Sequence, residues 1–189
     1  MILVPYNNKK PRVSSKAFVA PTAVLVGDVI VEDGASIWFG AVLRADMGSI
    51  LVKKGANVQD NCVVHLKLFG SQAVIGENAT IGHGAILHDC TIGKGAIVGI
   101  NSVVLDFAQV GEESIVAAGS VVGDNAVIPP RHLAAGTPAE VKKEISGTAL
   151  WYVKQGAEIY HLLRDEYLKE GIGVVEEEEE EEEEENESD

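Results

Sequence analysis

The chain has few large aromatic side chains, few cysteines and no long apolar run. Its 189 residues include only 4 Phe, 4 Tyr and 2 Trp against 20 Gly, so a helical core of large side chains is not expected. No apolar run reaches the roughly 18 residues that a membrane-spanning helix needs. The two cysteines, Cys62 and Cys90, are too few for a disulfide framework and lack the spacing of a zinc or redox pair. We therefore expect buried thiols and no membrane segment.

Negative charge is concentrated at the C-terminal end. The formal net charge is −14, and residues 176–189 hold 12 acidic side chains, ten of them consecutive Glu, with no basic one. A run of like charges repels itself and buries nothing, so residues 171–189 are predicted to form a disordered, solubilising tail. Without a basic cluster, neither nucleic acid nor an anionic membrane is an expected partner. The first residues place apolar side chains before basic ones, the reverse of a secretory signal, which favours a cytoplasmic protein.

Aliphatic residues recur along the chain with a period of six. The positions are Val19, Leu25, Val31, Ile37, Leu43, Val52, Val58, Val64, Ile75, Ile81, Leu87, Ile92, Val98, Val104, Val110, Val116, Val122 and Ile128. A small or modest residue follows most of them four positions later. A period of six is not helical, and short β-rich units at fixed spacing indicate a solenoid. Three such units make one triangular coil, so the 18 units predict an all-β solenoid of about six coils.

The repeat also predicts where the domains divide. Extra residues interrupt it after Leu43 and after Val64, and Pro129 ends it. We expect a β-helix domain over residues 1–147 and an α-helix over residues 148–170, with Thr148 as its N-terminal cap. Apolar residues follow one face of that helix: Leu150, Val153, Ala157, Tyr160, Leu163 and Tyr167. This face is expected to pack on the solenoid or on a neighbouring subunit.

Three of the five histidines fall in the middle of the repeat. His65 and His88 both occupy the second position of a unit and lie one coil apart, so they are predicted to stack about 4.8 Å apart on one outer face. His83 belongs to the preceding side of the triangle and would reach the pair only from another subunit. A symmetric trimer would then form three equivalent sites. Three imidazoles with an open fourth position are typical of hydrolytic zinc sites.

Two charged residues extend this arrangement. Arg44 lies in the same column as the histidine pair, one coil earlier, and Asp60 lies on the side that carries His83. An intersubunit pair between Arg44 and Asp60 would set the register of a trimer. Asp46, two residues after Arg44, is a candidate to orient that guanidinium or a water on the metal.

The repeat units resemble those of a known family. Ile75-Gly-Glu-Asn-Ala-Thr and Ile92-Gly-Lys-Gly-Ala-Ile are similar to the units of the hexapeptide-repeat, left-handed parallel β-helix proteins, and the left hand is implied by that resemblance alone. The set Arg44-Ala-Asp46, Gln59-Asp60-Asn61, His65, Ile81-Gly-His83-Gly and His88 resembles the γ-class carbonic anhydrases.

The resemblance implies a role for each of these positions. His65, His83 and His88 would bind Zn2+, with Fe2+ or Co2+ as other candidates. Gln59 would orient hydroxide on the metal, and Tyr160 would match an aromatic hydroxyl near the site. The implied activity is that of a lyase, the reversible hydration of CO2 to bicarbonate at the interfaces of a homotrimer.

The sequence departs from the founding type of the class in two loops. Met47 stands where that type has a glutamate, and residues 66–72 replace an acidic loop. A positioned proton-transfer group is worth ~10² to 10⁴ in rate, so slow proton export is expected. Three alternatives stay open: a weak or inert metal-binding trimeric scaffold, an acyltransferase, and a metal-dependent thioesterase, since the fold alone specifies none of these functions.

Overall fold

The computed structural model describes residues 1–173, which form a left-handed parallel β-helix of about seven turns followed by one α-helix. The strands are β1 (Ile2–Val4), β2 (Arg12–Val13), β3 (Phe18–Val19), β4 (Val24–Val31), β5 (Ser36–Ile37), β6 (Val42–Val52), β7 (Asn57–Val58), β8 (Val63–His65), β9 (Gln72–Ile75), β10 (Thr80–Ile81), β11 (Ile86–His88), β12 (Thr91–Ile92), β13 (Ile97–Val98), β14 (Val103–Val104), β15 (Gln109–Val110), β16 (Ile115–Val116), β17 (Val121–Val122), β18 (Val127–Ile128), β19 (His132–Gly136) and β20 (Ala139–Glu144). The helix is α1 (Gly147–Lys169).

The strands form the three faces of a prism. The first face contains β8, β11, β14 and β17, and the second contains β9, β12, β15 and β18. The long strand β6 turns the corner between them, because it pairs with β8 at one end and with β9 at the other. The third face contains β3, β5, β7, β10, β13, β16 and β19 in parallel, and β20 pairs with β19 in the antiparallel direction.

The six-residue period is confirmed as the pattern of the core. Leu43, Val64 and Leu87 stack in register and are buried, as are their counterparts on the other faces. The small residues four positions later are needed at the corners, where Ala41 and Cys62 have no exposed surface. Both Cys62 and Cys90 are free, buried thiols, and burial raises their pKa values to about 11 and about 12.

The solenoid is longer than the six predicted coils. At the N-terminal end, Leu3 of β1 stacks on Leu25, and Val13 of β2 stacks on Val31. At the other end, Ala134 of β19 stacks on Val116. These strands add a partial turn at each end. The period does not reveal them because the spacing from Leu3 to Val13 is not six and Ala134 is too small to mark a core position.

The helix runs along the third face and returns towards the first coil. Near its beginning, Val153 packs with Ile97 and Ile145, and near its end Tyr167 packs with Phe18 and Trp38. The predicted cap was wrong by two residues: Ser146 is the N-cap residue, and its side chain makes no capping hydrogen bond. Leu163, expected on the packing face, is 40% exposed. No helix within residues 1–173 is long and apolar enough to span a membrane.

The predicted acidic tail falls almost entirely on residues 174–189, which lie outside the described residues.

Candidate metal centre

His65 and His88 lie side by side on the first face, as their register predicts. The two residues are direct partners in the pairing of β8 with β11. Their ring centroids are 5.3 Å apart, and Nδ1 of His65 lies 3.2 Å from Nε2 of His88. Two nitrogens bound to one tetrahedral zinc ion at roughly 2.0–2.1 Å would be about 3.3 Å apart. The spacing of the pair therefore fits two ligands of a single ion.

A carboxylate holds the far side of each ring. Nε2 of His65 donates to Oδ1 of Asp46 over 3.0 Å, and Nδ1 of His88 donates to Oδ1 of Asp106. A neutral imidazole has one N–H, so each ring then has only a lone pair on the nitrogen that faces the other ring. Two lone pairs at hydrogen-bond distance repel each other unless a cation lies between them. This pattern is also how proteins orient histidines that bind metals.

Asp46 connects the pair to Arg44. Its second carboxylate oxygen accepts a hydrogen bond from the Arg44 guanidinium. Partial burial acts to raise the pKa of Asp46, but the hydrogen bonds from His65 and Arg44 outweigh it and lower the pKa. Of the two roles predicted for Asp46, the structure shows contact with the guanidinium, together with a contact to His65 that the sequence analysis did not include.

Asp106 and Lys67 are site residues that the sequence analysis missed. Asp106 is buried one coil above His88, and its Oδ2 lies 2.6 Å from Nζ of Lys67. Burial acts to raise the pKa of Asp106, while the bonds from Lys67 and His88 lower it. The repeat register could have identified Asp106, because this residue occupies the third position of the unit that stacks directly on the Leu87 unit.

His83 lies at the end of the third face, away from the other two histidines. Its Nδ1 donates to Asp60 over 2.8 Å, and its Nε2 accepts from the Tyr160 hydroxyl over 3.2 Å. Burial, and after it the charge of Asp60, raises the pKa of Tyr160 to about 12, so the hydroxyl keeps its proton at neutral pH. All three histidines thus have one ring nitrogen on a carboxylate.

Two glycines make room for the backbone at His83. A Cβ on Gly82 would lie 2.8 Å from the backbone nitrogen of Ile100, and Gly84 has a φ of +69°, which favours glycine. The turn therefore brings the coils close together and directs the chain from the third face to the first.

Gln59 is buried beside His83. Its Oε1 accepts from the His83 backbone N–H over 3.1 Å, and its Nε2 donates to Asn57 over 3.1 Å. Asn57 in turn donates to the Thr80 hydroxyl. This network, whose Asn57 the sequence analysis missed, orients the Gln59 amide while leaving it one N–H and one lone pair for a further partner.

Within one chain the predicted metal ligands do not converge. In residues 1–173 no three His, Cys, Asp or Glu side chains are close enough to hold one ion together. Arg44 contacts Asp46, and Asp60 contacts His83. A complete three-histidine site therefore requires a second copy of the chain.

A mostly apolar groove of about 440 Å³ lies between α1 and the third face. Its lining includes His83, Gln59, Ile100, Trp151 and Tyr160. In this groove, exposed aromatic and apolar side chains therefore lie beside a candidate ligand.

Comparisons with known proteins agree with this architecture. A family model described as bacterial transferase hexapeptide (six repeats) matches residues 89–124. Carnitine operon protein CaiE of Escherichia coli is 47% identical over 152 residues, which cover 79% of this chain and 76% of that protein. Mitochondrial gamma carbonic anhydrase 2 of Arabidopsis thaliana is 39% identical over 158 residues, 81% of this chain and 57% of that protein.

A solved structure is similar over nearly its whole length. The crystal structure of a hexapeptide transferase family protein from Anaplasma phagocytophilum has a TM-score of 0.84 and 42% identity, and it covers 88% of this chain and 98% of its own. The stacked coils and the matched repeat define a hexapeptide-repeat β-helix protein. Within that class, the chain belongs to the γ-carbonic anhydrase-like family.

Proposed function

We propose that the protein is a metal-dependent enzyme that hydrates CO2 reversibly to bicarbonate at sites between subunits. The observation that supports this most strongly is the pair of ring nitrogens on His65 and His88 that face each other 3.2 Å apart, with Asp46 and Asp106 on the far sides of the rings. Neutral imidazoles with the remaining N–H donated to carboxylates are the ligands that zinc, iron(II) and cobalt(II) accept.

The third ligand is proposed to come from a neighbouring subunit of a homotrimer. His83 lies on a different face from the pair and is already oriented by Asp60. A cyclic arrangement places the end of the third face that carries His83 against the first face of the next chain and repeats the same contact three times. In it, the free oxygen of Asp60 is the proposed partner of Arg44. Cytoplasmic location stays a prediction from the N-terminal sequence.

The chain's own side chains would divide the work at such a site. A divalent ion bound there would act as a Lewis acid that lowers the pKa of water to about 7. The three imidazoles would hold the ion, and Nε2 of His83 would exchange the Tyr160 hydroxyl for it. Asp46, Asp60 and Asp106 would orient the rings. Gln59 and Tyr160 supply a spare N–H and a protonated hydroxyl next to His83, and the groove offers apolar surface for CO2.

Proton export is expected to limit this activity. Residues 66–72 carry no acidic side chain, and Phe69 in this loop is 84% exposed. Asp46 and Asp106 are near the histidines, but each is already held by a histidine and a basic residue. Rates should therefore rise when the buffer concentration is increased, because buffer replaces the missing proton-transfer group.

The test is stopped-flow CO2 hydration by protein purified without oxygen and loaded with zinc, iron(II) or cobalt(II). Elemental analysis should find one ion per chain, and light scattering should find a trimer. His65→Ala should remove both the ion and the turnover, whereas His132→Ala, outside the site, should keep both. One ion per chain without turnover would refute carbonic anhydrase activity and leave the scaffold or the thioesterase.

A second candidate function is acyl transfer, which the apolar groove beside His83 favours. The groove volume of about 440 Å³ is within the range of small-molecule sites. Such a reaction needs one histidine base rather than three converging ligands. Turnover of acetyl-coenzyme A with an amine acceptor, unchanged by a chelator and lost in His83→Ala, would support it over CO2 hydration.

A further inference from the structure

The loop after His65 is fastened to the coil above the histidine pair by one ion pair. Lys67, two residues beyond His65, places Nζ 2.6 Å from Oδ2 of Asp106, and its ammonium lies 5.9 Å from the centre of the Phe107 ring. The other oxygen of Asp106 accepts the hydrogen bond from Nδ1 of His88. One carboxylate thus bridges a basic loop residue and a candidate metal ligand.

The bridge restricts how the carboxylate can move. Only 12% of the Asp106 side chain is exposed, and both of its oxygens have a partner. Rotation of the carboxylate would therefore break a charged hydrogen bond on either side. As long as it stays in place, the neutral His88 ring keeps its proton on Nδ1 and its lone pair on Nε2, the nitrogen that faces His65.

We propose that Asp106 and Lys67 form a positioning pair that fixes the tautomer and orientation of His88 for metal binding. The importance of this pair for metal affinity rests on the proposed function, whereas the tautomer of His88 does not. Asp106 acts directly on the ring, and Lys67 acts through Asp106.

An amide at position 106 gives the sharpest test. In Asp106→Asn, one oxygen and one NH2 group replace two equivalent oxygens. The Lys67 ammonium needs an acceptor, so the amide oxygen should turn towards it and the NH2 group towards His88. Nδ1 must then accept, and the proton of the neutral ring moves to Nε2.

The readout is long-range 1H–15N NMR of the metal-free protein, which distinguishes the two tautomers of a neutral imidazole. The His88 signals are assigned by their loss in His88→Gln. We expect the Nδ1–H form in the wild type and the Nε2–H form in Asp106→Asn. Asp124→Asn, the same change one coil higher, is the matched control and should leave the spectrum as in the wild type. An unchanged tautomer in Asp106→Asn would overturn the proposal.

Metal affinity provides the second readout. By competition with a chelator, the Zn2+ dissociation constant of Asp106→Asn should rise about 10- to 100-fold, the usual effect of losing a group that orients a ligand. Lys67→Met should raise it less, and Asp124→Asn should not change it. If the wild type binds no metal, the proposed function fails while the tautomer series still decides the role of Asp106. If the wild type binds metal and Asp106→Asn binds it equally well, the positioning role is refuted while the proposed function stands.

Discussion

Mixing two inactive variants should restore a defined fraction of the metal sites. His83 lies on the third face, and His65 and His88 lie on the first face of the same chain. In the proposed trimer each site takes the pair from one subunit and His83 from the next. His83→Ala and His88→Ala should therefore each lose every site, while a mixed trimer regains one.

The expected recovery follows from the symmetry of a ring. In any trimer that contains both variants, only one of the three interfaces joins an intact His65–His88 pair to an intact His83. Random mixing at equal amounts makes about three quarters of the trimers mixed, so about one quarter of all sites should bind metal and turn over CO2.

The assay is co-expression of the two variants with different affinity tags, followed by tandem purification. Elemental analysis should give about one ion per mixed trimer, and stopped-flow CO2 hydration should give about one third of the wild-type rate per trimer. The control is His132→Ala mixed with His88→Ala. Every subunit there keeps His83, so a site should form at each subunit that keeps its His65–His88 pair. Mixed trimers without metal, or full metal occupancy in His83→Ala alone, would refute the intersubunit site.

Four further predictions concern stability and reactivity. Trp38→Ala removes a buried indole whose ring centroid lies 4.8 Å from that of Phe18, so it should lower the free energy of unfolding by about 3 kcal/mol or more. Urea titration followed by circular dichroism checks this, and a loss below about 1 kcal/mol would contradict it. Tyr160→Phe removes the hydroxyl that donates to His83 and should cost about 1 kcal/mol in the same titration. Cys62 and Cys90 should not react with a thiol reagent in the native protein at pH 8, because burial raises both pKa values to about 11 and about 12; both should react in denaturant. The pKa of Asp46 is lower in the folded protein than the unfolded value of about 3.9, so its ionised form stabilises the fold at higher pH, and this stability is lost as the pH falls through the folded pKa. The free energy of unfolding of the metal-free protein should therefore decrease in acid, and it should decrease less steeply in Asp46→Asn.

The repeat in the sequence determined the prism and the places of the histidines on it. Because each coil consists of three units, the position of a residue within its unit identifies its face, and the count of units identifies its height. His65 and His88 therefore stack as predicted, and His83 lies on another face. The same reasoning predicted the buried aliphatic columns, whose members differ in sequence but not in register.

The contacts between coils were decided only by the tertiary structure. The bond from His88 to Asp106 and the pair of Asp106 with Lys67 depend on the rotamers of three side chains and on the path of the loop after His65. The six-residue period places Asp106 one coil above His88, but it does not specify these rotamers or the path of the loop. The network of Gln59 with Asn57 was missed for the same reason.

The placement of the helix also required the folded chain. Its amphipathic pattern predicts a packing face but not the partner, which is the aromatic cluster of Phe18 and Trp38 more than a hundred residues earlier. That cluster brings α1 down the third face and sets Tyr160 against His83. The periodic sequence thus determined which residues share a face, because the backbone repeats, whereas side-chain packing between distant segments decided which of them touch.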